Sequence, residues 1–574
     1  MLALSGSERQ NESPLLVQRF LEQVYADPDG VFLTQPHAGG VRDISWRQAH
    51  HEVARIATYL RKFPRGSHIA IYSLNCAHWI LADLAIWLAG HVSVPVYPTA
   101  GREAIRQVLE HSDAVAVFVG KLYDYADKAG AIPDSLERIA MHQPHDGLLD
   151  WDEIVRRELP LLNPELPTAD DLATIVYTSG TTGEAKGVMI SFGIMRHAAS
   201  NMLQWANVVG SQRFFSYLPL AHAAERLVVE CIGIYSGSRI FFAESLDTFA
   251  RDLRKASPTI FLAVPRIWLK FQQGIEARIG AARLTRALAL PVLGPLLGRI
   301  LCKGLGLHKV QIAISGAAAL SGELIAWYER LGIRICEGYG MSETFGYSHG
   351  SHPARRRQGA VGECLPNAEC NIAEDGEILL RNPCMMLGYY KAPELTATVI
   401  QDGWLHTGDL GEQDATGMLR LTGRKKEIFK TSKGKYVAPA PIEARLELLA
   451  GVEQLCVLGA DRAQPVALAV LRELADDARG HVEQRLHEAL QQINATLESH
   501  EQLAQIIVLF EQWTTDNGLM TPTLKLRRHE IERRYAALVA ACEQRNERVS
   551  WADRVAMTPR RIQNGEGDER IFPP

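Results

Sequence analysis

The run "YTSGTTGEAKGV", Tyr177 to Val188, has the composition of a loop that binds phosphate. Glycines let the backbone approach an anion closely, and hydroxyls and exposed N–H groups are neutral donors for phosphate oxygens. Lys186 adds a positive charge. A Walker-type loop needs four residues between its glycines and then Gly-Lys-Ser/Thr, whereas two residues separate Gly180 from Gly183. The run therefore predicts a phosphate site of another kind, with a flexible surface turn as the alternative.

The bulk composition limits the classes of protein to consider. The chain has 574 residues, 47% apolar and 22% charged, which is ordinary for a globular protein with more than one domain. The formal net charge of −5 gives no general attraction to nucleic acid. Nine scattered cysteines form no CxxC pair, and the N-terminus lacks the apolar run of a signal peptide. These features predict a cytoplasmic protein with reduced thiols, no zinc site and no nucleic-acid partner.

Short β-rich runs alternate with helical patterns over the first 330 residues, which predicts an α/β fold with helices on both faces of parallel sheets. The predicted strands are 68–74, 115–120, 173–179, 239–243, 259–265 and 310–316, and two of the predicted helices are 76–90 and 321–332. From about residue 359, turn residues and shorter strands predict a small antiparallel, barrel-like part. After about residue 425 the pattern changes again, with a helix opened by Pro441 and a loose polar tail. We therefore expect a large N-terminal domain, 1–424, and a smaller α+β C-terminal domain, 425–574.

Residues 288–304, "LALPVLGPLLGRILCKG", form the run closest in character to a membrane span. Pro291, Pro295, Arg299 and Lys303 argue against a span. The run predicts a buried or partly exposed helical hairpin. A peripheral membrane contact and a wall of an apolar ligand tunnel are the alternatives.

Further runs contain residues suited to a nucleotide or a carboxylate. They are "SYLPLAHAAER" (216–226), "VPRIW" (264–268), "ISGAAAL" (314–320), "EGYGMSET" (337–344), "DGWLHTGDLG" (402–411), "GRKKEIFK" (423–430) and "NGLMTPTLKLRR" (517–528). With the opening run, and in this order, they resemble the motifs of the adenylate-forming (AMP-binding) enzymes, the superfamily of acyl-CoA synthetases, firefly luciferase and nonribosomal-peptide adenylation domains. The resemblance spans roughly residues 45–530.

The run from Asp402 to Lys430 resembles the signature of fatty acyl-CoA synthetases, and "VSVPVYPT" (92–99), "GYYKAPELTATVIQDGWLHTGD" (388–409) and "TPTLKLRR" resemble the bacterial long-chain group. Some positions depart from the pattern of these enzymes: Ala185 stands where proline is usual, Phe192 replaces a polar residue, Gln413 an aromatic one and Lys433 a glycine. Gly423 stands where eukaryotic long-chain enzymes often have aspartate.

The resemblance implies a ligase that acts in two steps. A long-chain fatty acid and ATP give an acyl-adenylate and pyrophosphate, and CoA then takes the acyl group with release of AMP. ATP, Mg²⁺ and CoA are the implied cofactors and cosubstrates. It also implies that the C-terminal domain is mobile and rotates about Lys426 between the two steps, with Lys430 and Gly434 on the CoA side.

The resemblance assigns roles to individual residues of this chain. Lys525 is the implied catalytic cation, His222 orients the carboxylate, Thr344 binds the α-phosphate and Glu343 is the magnesium ligand. The implied nucleotide-binding residues are Thr178, Ser179, Gly180, Thr181, Thr182, Gly183 and Lys186 at the β- and γ-phosphates, Gly316, Ala317 and Ala318 beside adenine, Glu337, Gly338, Tyr339, Gly340, Met341 and Ser342 in the adjoining segment, and Asp409 and Arg424 at the ribose.

Two other functions stay open at this stage. The altered run "TSKGKYV" around Lys433 allows an adenylating ligase with another acceptor, such as a carrier protein. A noncatalytic lipid- or nucleotide-binding relative is the second, although Lys525, Glu343 and Asp409 are all present. A monomer and a homodimer are equally compatible with the sequence, and so are a cytoplasmic location alone and one with peripheral membrane contact.

Overall fold

The computed structural model of the protein describes residues 13–179, 185–318, 320–450, 452–471, 479–545 and 547–554, and only the backbone of Ser179 and Leu448. The chain divides into two compact units. Unit 1 comprises Met1–Ile428 together with Thr514–Arg527, and unit 2 comprises Phe429–Trp513 and Arg528–Pro574. The segment that carries Lys525 is therefore part of unit 1, although it follows most of unit 2 in the sequence.

Unit 1 contains an eight-stranded sheet of order β19-β9-β8-β4-β3-β5-β6-β7. The strands from β8 to β7 in this order are parallel, and β9 and β19 are antiparallel to their neighbours. Buried faces on both sides explain the continuous apolar runs of the central strands. The strands are β3 (His68–Tyr72), β4 (Val92–Val96), β5 (Ala114–Val119), β6 (Glu137–Ala140), β7 (Leu149–Asp150), β8 (Leu172–Ser179), β9 (Ala185–Ser191) and β19 (Gly388–Tyr389).

Two further sheets of unit 1 contain parallel pairs. One has the order β10-β11-β1-β2 and the other β12-β13-β14-β15-β16. Their strands are β1 (Val31–His37), β2 (Gly40–Ser45), β10 (Arg213–Ser216), β11 (Arg239–Phe242), β12 (Ile260–Ala263), β13 (Ile312–Ser315), β14 (Ile335–Tyr339), β15 (His349–Gly350) and β16 (Glu363–Cys364). The six predicted strands are confirmed to within two residues at each end.

The fourth sheet of unit 1 is antiparallel throughout, as the turn-rich sequence after residue 359 predicts. Its order is β17-β18-β21-β20, and β22 pairs with β21. The strands are β17 (Glu369–Ile372), β18 (Glu377–Arg381), β20 (Ile400–Gln401), β21 (Trp404–Gln413) and β22 (Leu419–Arg424).

Helices surround these sheets. Every residue of α3 is buried, which explains why its sequence is apolar around the whole helix. Pro265 is the first residue of α11, so the predicted strand 259–265 ends before it. The helices of unit 1 are α1 (Leu16–Ala26), α2 (Trp46–Leu60), α3 (Ala77–Leu88), α4 (Arg102–His111), α5 (Tyr125–Lys128), α6 (Trp151–Arg157), α7 (Phe192–Trp205), α8 (Ala223–Glu225), α9 (Ile232–Tyr235), α10 (Phe249–Ala256), α11 (Pro265–Ile279), α12 (Ala281–Leu288), α13 (Leu293–Leu305), α14 (Gly322–Leu331) and α15 (Pro393–Val399).

Unit 2 is an α+β unit with a four-stranded mixed sheet and a small hairpin. Its elements are β23 (Phe429–Lys430), β24 (Tyr436–Val437), α16 (Pro439–Ala450), β25 (Gln454–Leu458), β26 (Val466–Val470), α17 (Arg479–Asn494), β27 (Ile506–Leu509), α18 (Arg528–Arg545) and β28 (Val549–Trp551). Helix α16 begins at Pro439, so the prediction that Pro441 opens it was wrong by two residues. Either proline fits a first helical turn, where an N–H is not needed. Within the described ranges, no helix has both the length and the apolar character needed to cross a membrane.

Candidate active site

The phosphate-binding run joins two paired strands. Strand β8 continues to Ser179 and β9 begins at Ala185, and the ladder places Thr178 opposite Lys186. A Cβ on Gly187 would lie 2.7 Å from Ile175 Cγ2, so only glycine fits this position of β9. Gly180, Thr181, Thr182 and Gly183 lie outside the described residues, as does the side chain of Ser179. Their roles at the phosphates stay predictions.

Lys186 and Glu343 are connected through Tyr389. The ammonium of Lys186 lies 5.6 Å from the centre of the Tyr389 ring. The Tyr389 hydroxyl donates a 2.7 Å hydrogen bond to Glu343 Oε1, and the Met386 N–H donates to the Glu343 carbonyl oxygen at 2.7 Å. Strand β19, which carries Tyr389, pairs with β9, which carries Lys186. Sheet pairing therefore brings the predicted phosphate lysine and the predicted magnesium ligand to one place.

Glu343 lies in a single 3₁₀ turn, Ser342–Thr344, directly after β14. The turn is tight: a Cβ on Gly340 would lie 2.5 Å from backbone atoms of Gly346. Thr344 is fully buried, and its hydroxyl donates to the Met341 carbonyl oxygen at 3.2 Å. The compact backbone of this segment explains its small residues, and it exposes Glu343 more than Thr344.

The predicted ribose residues form a hydrogen-bonded group. Asp409 and Arg424 are direct ladder partners on β21 and β22. Asp409 Oδ1 accepts from Arg424 Nε at 2.7 Å, and Oδ2 accepts from the Tyr339 hydroxyl at 2.9 Å. Burial and the Asp409 charge raise the pKa of Tyr339, so it remains a donor. A carboxylate oxygen has two lone pairs, and Asp409 can still accept a further hydroxyl on each.

The predicted adenine side lies where β13 and β14 run side by side. Ser315 is the ladder partner of Glu337, and a Cβ on Gly316 would lie 3.4 Å from the Gly338 carbonyl oxygen. Ala317 has the left-handed φ of 69°, and Ala317 and Ala318 are exposed. Burial raises the pKa of Glu337 to about 7. The exposed backbone of Ala317 and Ala318, next to the buried Glu337 on β14, suits contact with a flat adenine ring.

His222 precedes the short helix α8 and caps it. Its Nδ1 accepts from the Ala224 N–H at 3.2 Å, which places the ring proton on Nε2. Burial, and to a smaller extent the Lys525 charge, lowers the pKa of His222 to about 4. The ring is therefore neutral at physiological pH and presents an N–H donor.

A buried ionic network follows His222 on the π-helix Arg226–Cys231. Arg226 pairs with Asp83 and with Glu230, and all three side chains have no solvent exposure. Arg226 also donates to Thr174 Oγ1 at 2.7 Å on β8. Single π-helical turns often occur beside functional sites, and this network fixes the segment after His222 to the strand that leads into the phosphate run.

Lys525 lies in a small turn held by its own backbone. The Lys525 N–H donates to Thr521 Oγ1 at 3.0 Å, and the Thr521 N–H donates to the Lys525 carbonyl oxygen at 2.8 Å. Thr99, which follows β4, donates from its hydroxyl to the Pro522 carbonyl oxygen at 2.5 Å. The end of the "VSVPVYPT" run thus holds the turn that carries Lys525 within unit 1.

The charges of the candidate site converge on Lys525. The Lys525 side chain is exposed to solvent. The surrounding protein and then the Arg424 charge lower its pKa, while Asp409, Glu427 and Glu343 raise it. His222 is close enough for its pKa to respond to the same ammonium. Residues from five separate motifs therefore lie within electrostatic reach of Lys525.

The predicted hinge residue belongs to unit 1, and the predicted CoA-side residues belong to unit 2. Lys426 is exposed in the turn after β22, two residues before the boundary of unit 1. Lys430 and Gly434 lie in unit 2, on the β23–β24 hairpin. Gly434 has a φ of 78°, and the Lys430 ammonium lies 5.8 Å from the centre of the Tyr436 ring. Their roles stay predictions.

Glu343 suits a magnesium ion that arrives with a nucleotide. Magnesium prefers hard oxygen ligands and is commonly held by one or two carboxylates together with phosphate oxygens and water. Throughout the described ranges, no three His, Cys, Asp or Glu side chains are grouped so as to hold a metal by themselves. The single carboxylate, fixed by Tyr389, fits a shared site of this kind.

Two contact residues escaped the sequence interpretation. Tyr389 and Thr99 both lie in runs that resemble the long-chain group, but nothing local indicates that they touch Glu343 or the Lys525 turn.

Comparisons with known proteins agree with this arrangement of motifs. The family model "AMP-binding enzyme" matches residues 20–390, and "AMP-binding enzyme C-terminal domain" matches residues 426–547. The chain is 28% identical to the long-chain-fatty-acid–CoA ligase FadD15 of Mycobacterium bovis, over 90% of this chain and 94% of that protein. It is 30% identical to the peroxisomal long chain acyl-CoA synthetase 6 of Arabidopsis thaliana, over 83% and 78%. The fold is similar to the adenylation domain of a carboxylate reductase from Mycobacterium chelonae, with a TM-score of 0.79, 21% identity and coverage of 94% and 92%.

Proposed function

This chain belongs to the AMP-binding enzyme family, and from that premise we propose that it is an AMP-forming ligase that joins a fatty acid to CoA. In the first step a carboxylate oxygen attacks the α-phosphorus of ATP, and the bond to the β-phosphate oxygen breaks, giving acyl-AMP and pyrophosphate. In the second step the CoA thiol loses its proton and attacks the acyl carbon, and AMP leaves. The relatives named for long-chain acids support a long acyl chain as the preferred substrate.

The observation that carries this proposal is the hydrogen-bonded group of Tyr339, Asp409 and Arg424, whose charges lie within electrostatic reach of Lys525. Both partners in the first step are anions, so the barrier arises largely from charge repulsion and from alignment. In this proposal Lys525 neutralises charge on the carboxylate and the α-phosphate together. The pKa of Lys525 is lowered, so its ammonium loses the proton at a lower pH than an ordinary lysine does. The rate of adenylation should therefore decrease as the pH is raised into the alkaline range.

The other residues act by holding and orienting. His222, neutral with its proton on Nε2, can donate a hydrogen bond to the substrate carboxylate without adding charge. Asp409 can accept from the ribose while Arg424 and Tyr339 keep its carboxylate fixed. Mg²⁺, when bound with the triphosphate, supplies further neutralisation of the phosphate charge, and Glu343 is the residue that would hold it. Lys186 would contact the departing pyrophosphate.

The experiment separates the two steps. Pyrophosphate release and trapping of acyl-AMP by hydroxylamine report adenylation, and thioester formation from supplied acyl-AMP reports transfer. We expect Lys525→Ala to abolish the first while largely sparing the second. Lys391→Ala is the matched control, because Lys391 pairs with Asp113 on the surface. Equal loss of both steps in Lys525→Ala would contradict the assigned role.

Substrate and acceptor are tested with the wild-type protein. A series of acids from two to twenty carbons, with and without CoA, should show CoA-dependent AMP release that is strongest for long chains. Acyl-AMP that accumulates without thioester when CoA is added would favour a carrier protein as acceptor. No acyl-AMP from any acid would refute the ligase assignment. Cytoplasmic location and oligomeric state stay predictions.

A further inference from the structure

A second polar cluster of unit 1 is built around Cys364, a residue that the proposed ligase reaction does not use. Strand β15 pairs with β16, and His349 and Cys364 are direct ladder partners. Side chains that oppose each other on neighbouring strands lie on one face of the sheet. His349 Nε2 lies 3.2 Å from Cys364 Sγ, and the Ser348 hydroxyl lies 2.8 Å from His349 Nδ1. The three side chains therefore form a hydrogen-bonded chain that ends at the sulfur.

This chain of side chains can direct a proton at the sulfur. Ser348 and His349 are 0% and 2% exposed, so water competes little for either ring nitrogen. When the Ser348 hydroxyl donates to Nδ1, the neutral imidazole carries its proton on Nε2. Because Nε2 faces Cys364 Sγ, its N–H stabilises the thiolate form of the cysteine.

A tight turn brings a second cysteine to the same sulfur. The Ala368 N–H donates to the Leu365 carbonyl oxygen at 2.9 Å, and Asn367 has a left-handed φ of 62°. Proline at the second position and asparagine at the third are typical of a type II turn. The turn reverses the chain between Cys364 and Cys370, whose thiols lie within hydrogen-bonding reach of each other.

The surroundings give the two thiols unlike protonation states. The hydrogen bond from Cys370, and then the hydrogen bond and charge of His349, lower the pKa of Cys364 although burial opposes them. The Glu363 charge also opposes them, but Arg355 pairs with that carboxylate at 2.6 Å. The bond to Cys364, together with burial, raises the pKa of Cys370. One sulfur is therefore a thiolate, and its neighbour keeps a proton.

Solvent reaches these two thiols more readily than the others. Cys364 and Cys370 are half-buried, whereas the other seven of the nine cysteines are buried. Buried structural cysteines are inert, and reactive ones are partly exposed thiolates with a cation or donor nearby. A partly exposed thiolate next to a second thiol is the arrangement found in cysteines that sense oxidants.

We propose that Cys364 is a site of oxidation by hydroperoxides and that Cys370 converts the product into a reversible disulfide. The Cys364 thiolate attacks one oxygen of the hydroperoxide, the O–O bond breaks, and the other oxygen leaves as water or an alcohol after taking a proton from solvent. The Cys370 thiol then loses its proton and attacks the sulfur of the Cys364 sulfenic acid, the S–O bond breaks, and water leaves. Reduction by a dithiol restores both thiols. The modification goes beyond the proposed ligase activity, because it requires neither ATP nor an acid substrate.

Peptide mapping of the full chain tests the disulfide. The native protein is treated with a stoichiometric amount of hydrogen peroxide, and the remaining thiols are blocked. A glutamate-specific protease then cuts after Glu363, Glu369 and Glu374, which places Cys364 and Cys370 on separate peptides. We expect mass spectrometry to find these two peptides linked, and dithiothreitol to separate them. The chain unfolded in urea, treated in the same way, should form the link much more slowly.

Single substitutions separate the two thiols. Cys370→Ser keeps a hydroxyl beside the Cys364 sulfur but cannot form the disulfide, so the sulfenic acid should persist. After peroxide treatment, dimedone should label Cys364 in this variant at least about tenfold faster than the buried Cys336. Cys336→Ser is the matched control and should form the disulfide as the wild type does. His349→Leu, added to Cys370→Ser, should move the pH midpoint of Cys364 alkylation up toward the value of about 8.5 of an ordinary thiol.

The wild type alone can overturn the proposal. It fails if the native protein forms no disulfide between Cys364 and Cys370, or if the disulfide forms as fast in urea, since closeness in sequence would then be sufficient. Equal dimedone labelling of Cys364 and Cys336 would also overturn it. An alkylation profile that His349→Leu leaves in place would contradict the activation of Cys364 by His349.

Discussion

The contact between Tyr389 and Glu343 leads to a sharp prediction about metal binding. The Tyr389 hydroxyl donates to Glu343 Oε1 at 2.7 Å, and Tyr389 is only 6% exposed. Burial and the Glu343 charge raise the pKa of Tyr389, so the hydroxyl keeps its proton and its donor role at any pH near neutrality. Tyr389→Phe removes this hydrogen bond and leaves the ring beside Lys186 in place.

The size of the effect follows from the burial of the two partners. A hydrogen bond to a charged group contributes about 1.5–3 kcal/mol when its surroundings are dry. Glu343 is half-buried, so we take the lower end, which corresponds to about a tenfold change in an equilibrium constant. The substitution should therefore weaken magnesium binding about tenfold, in line with the usual loss when a residue that orients a metal ligand is removed.

Pyrophosphate release at saturating ATP and acid, measured against free Mg²⁺, gives the activation constant. Binding of Mn²⁺ with ATP, followed by water proton relaxation, gives the affinity without turnover. Both constants should rise together, and the rate at saturating metal should change much less.

Tyr390→Phe is the control, because the neighbouring tyrosine loses the same atom. Its hydroxyl donates to Asp113 at 2.8 Å on the surface, and we expect no change in either metal constant. An unchanged or tighter metal constant in Tyr389→Phe would refute the reasoning, and an equal change in both variants would show that the hydroxyl itself is not responsible.

Three further predictions concern stability and the Lys525 turn. Arg226→Ala leaves the buried Asp83 and Glu230 without their cation and should lower the free energy of unfolding of unit 1 by about 3–5 kcal/mol in urea. Arg47→Ala, which breaks the exposed pair with Asp29, is the control and should leave the stability almost unchanged. A loss below about 1 kcal/mol for Arg226→Ala would contradict the network. Burial raises the pKa of Glu225 from 4.5 to about 8, so folded protein retains a proton that the unfolded chain releases, and stability falls by about 1.4 kcal/mol for each pH unit between these two pKa values. The melting temperature of Glu225→Gln should therefore fall less between pH 5 and pH 8 than that of the wild type, and parallel curves would show that Glu225 is ionised in the fold. Thr99→Val removes the hydrogen bond to Pro522 and should slow adenylation about fivefold, for about 1 kcal/mol, with thioester formation from supplied acyl-AMP unchanged; a slower second step would show a general structural defect instead.

Local patterns in the amino-acid sequence predict the family, the strand positions and the candidate site residues. The family motifs are contiguous runs of sequence. The strands β3, β5 and β12 are predicted from continuous apolar runs, because a strand that is buried on both faces needs apolar side chains on both. The motifs and the apolar runs can therefore each be recognised from neighbouring residues alone. The predicted start of α16 was wrong for the same reason, since neighbouring residues alone cannot distinguish Pro439 from Pro441 as the first residue of the helix. The roles assigned to the residues outside the described ranges, such as Thr181 and Thr182, remain as the sequence predicts them.

Which of these residues come into contact depends on long-range packing. Thr99 and Pro522 are 423 positions apart, and Tyr389 and Glu343 are 46 apart, so no local pattern could indicate either contact. The pairing of β9 with β19 places Tyr389 beside Lys186, and the course of the chain returns Lys525 to unit 1. The exposed aliphatic residues of α13, such as Leu296 and Ile300, have the same origin, because Gly294 and Gly298 pack against the backbone on the opposite side of the helix. Composition identifies the side chains that are available, and long-range packing selects the ones that face a ligand, a partner or water.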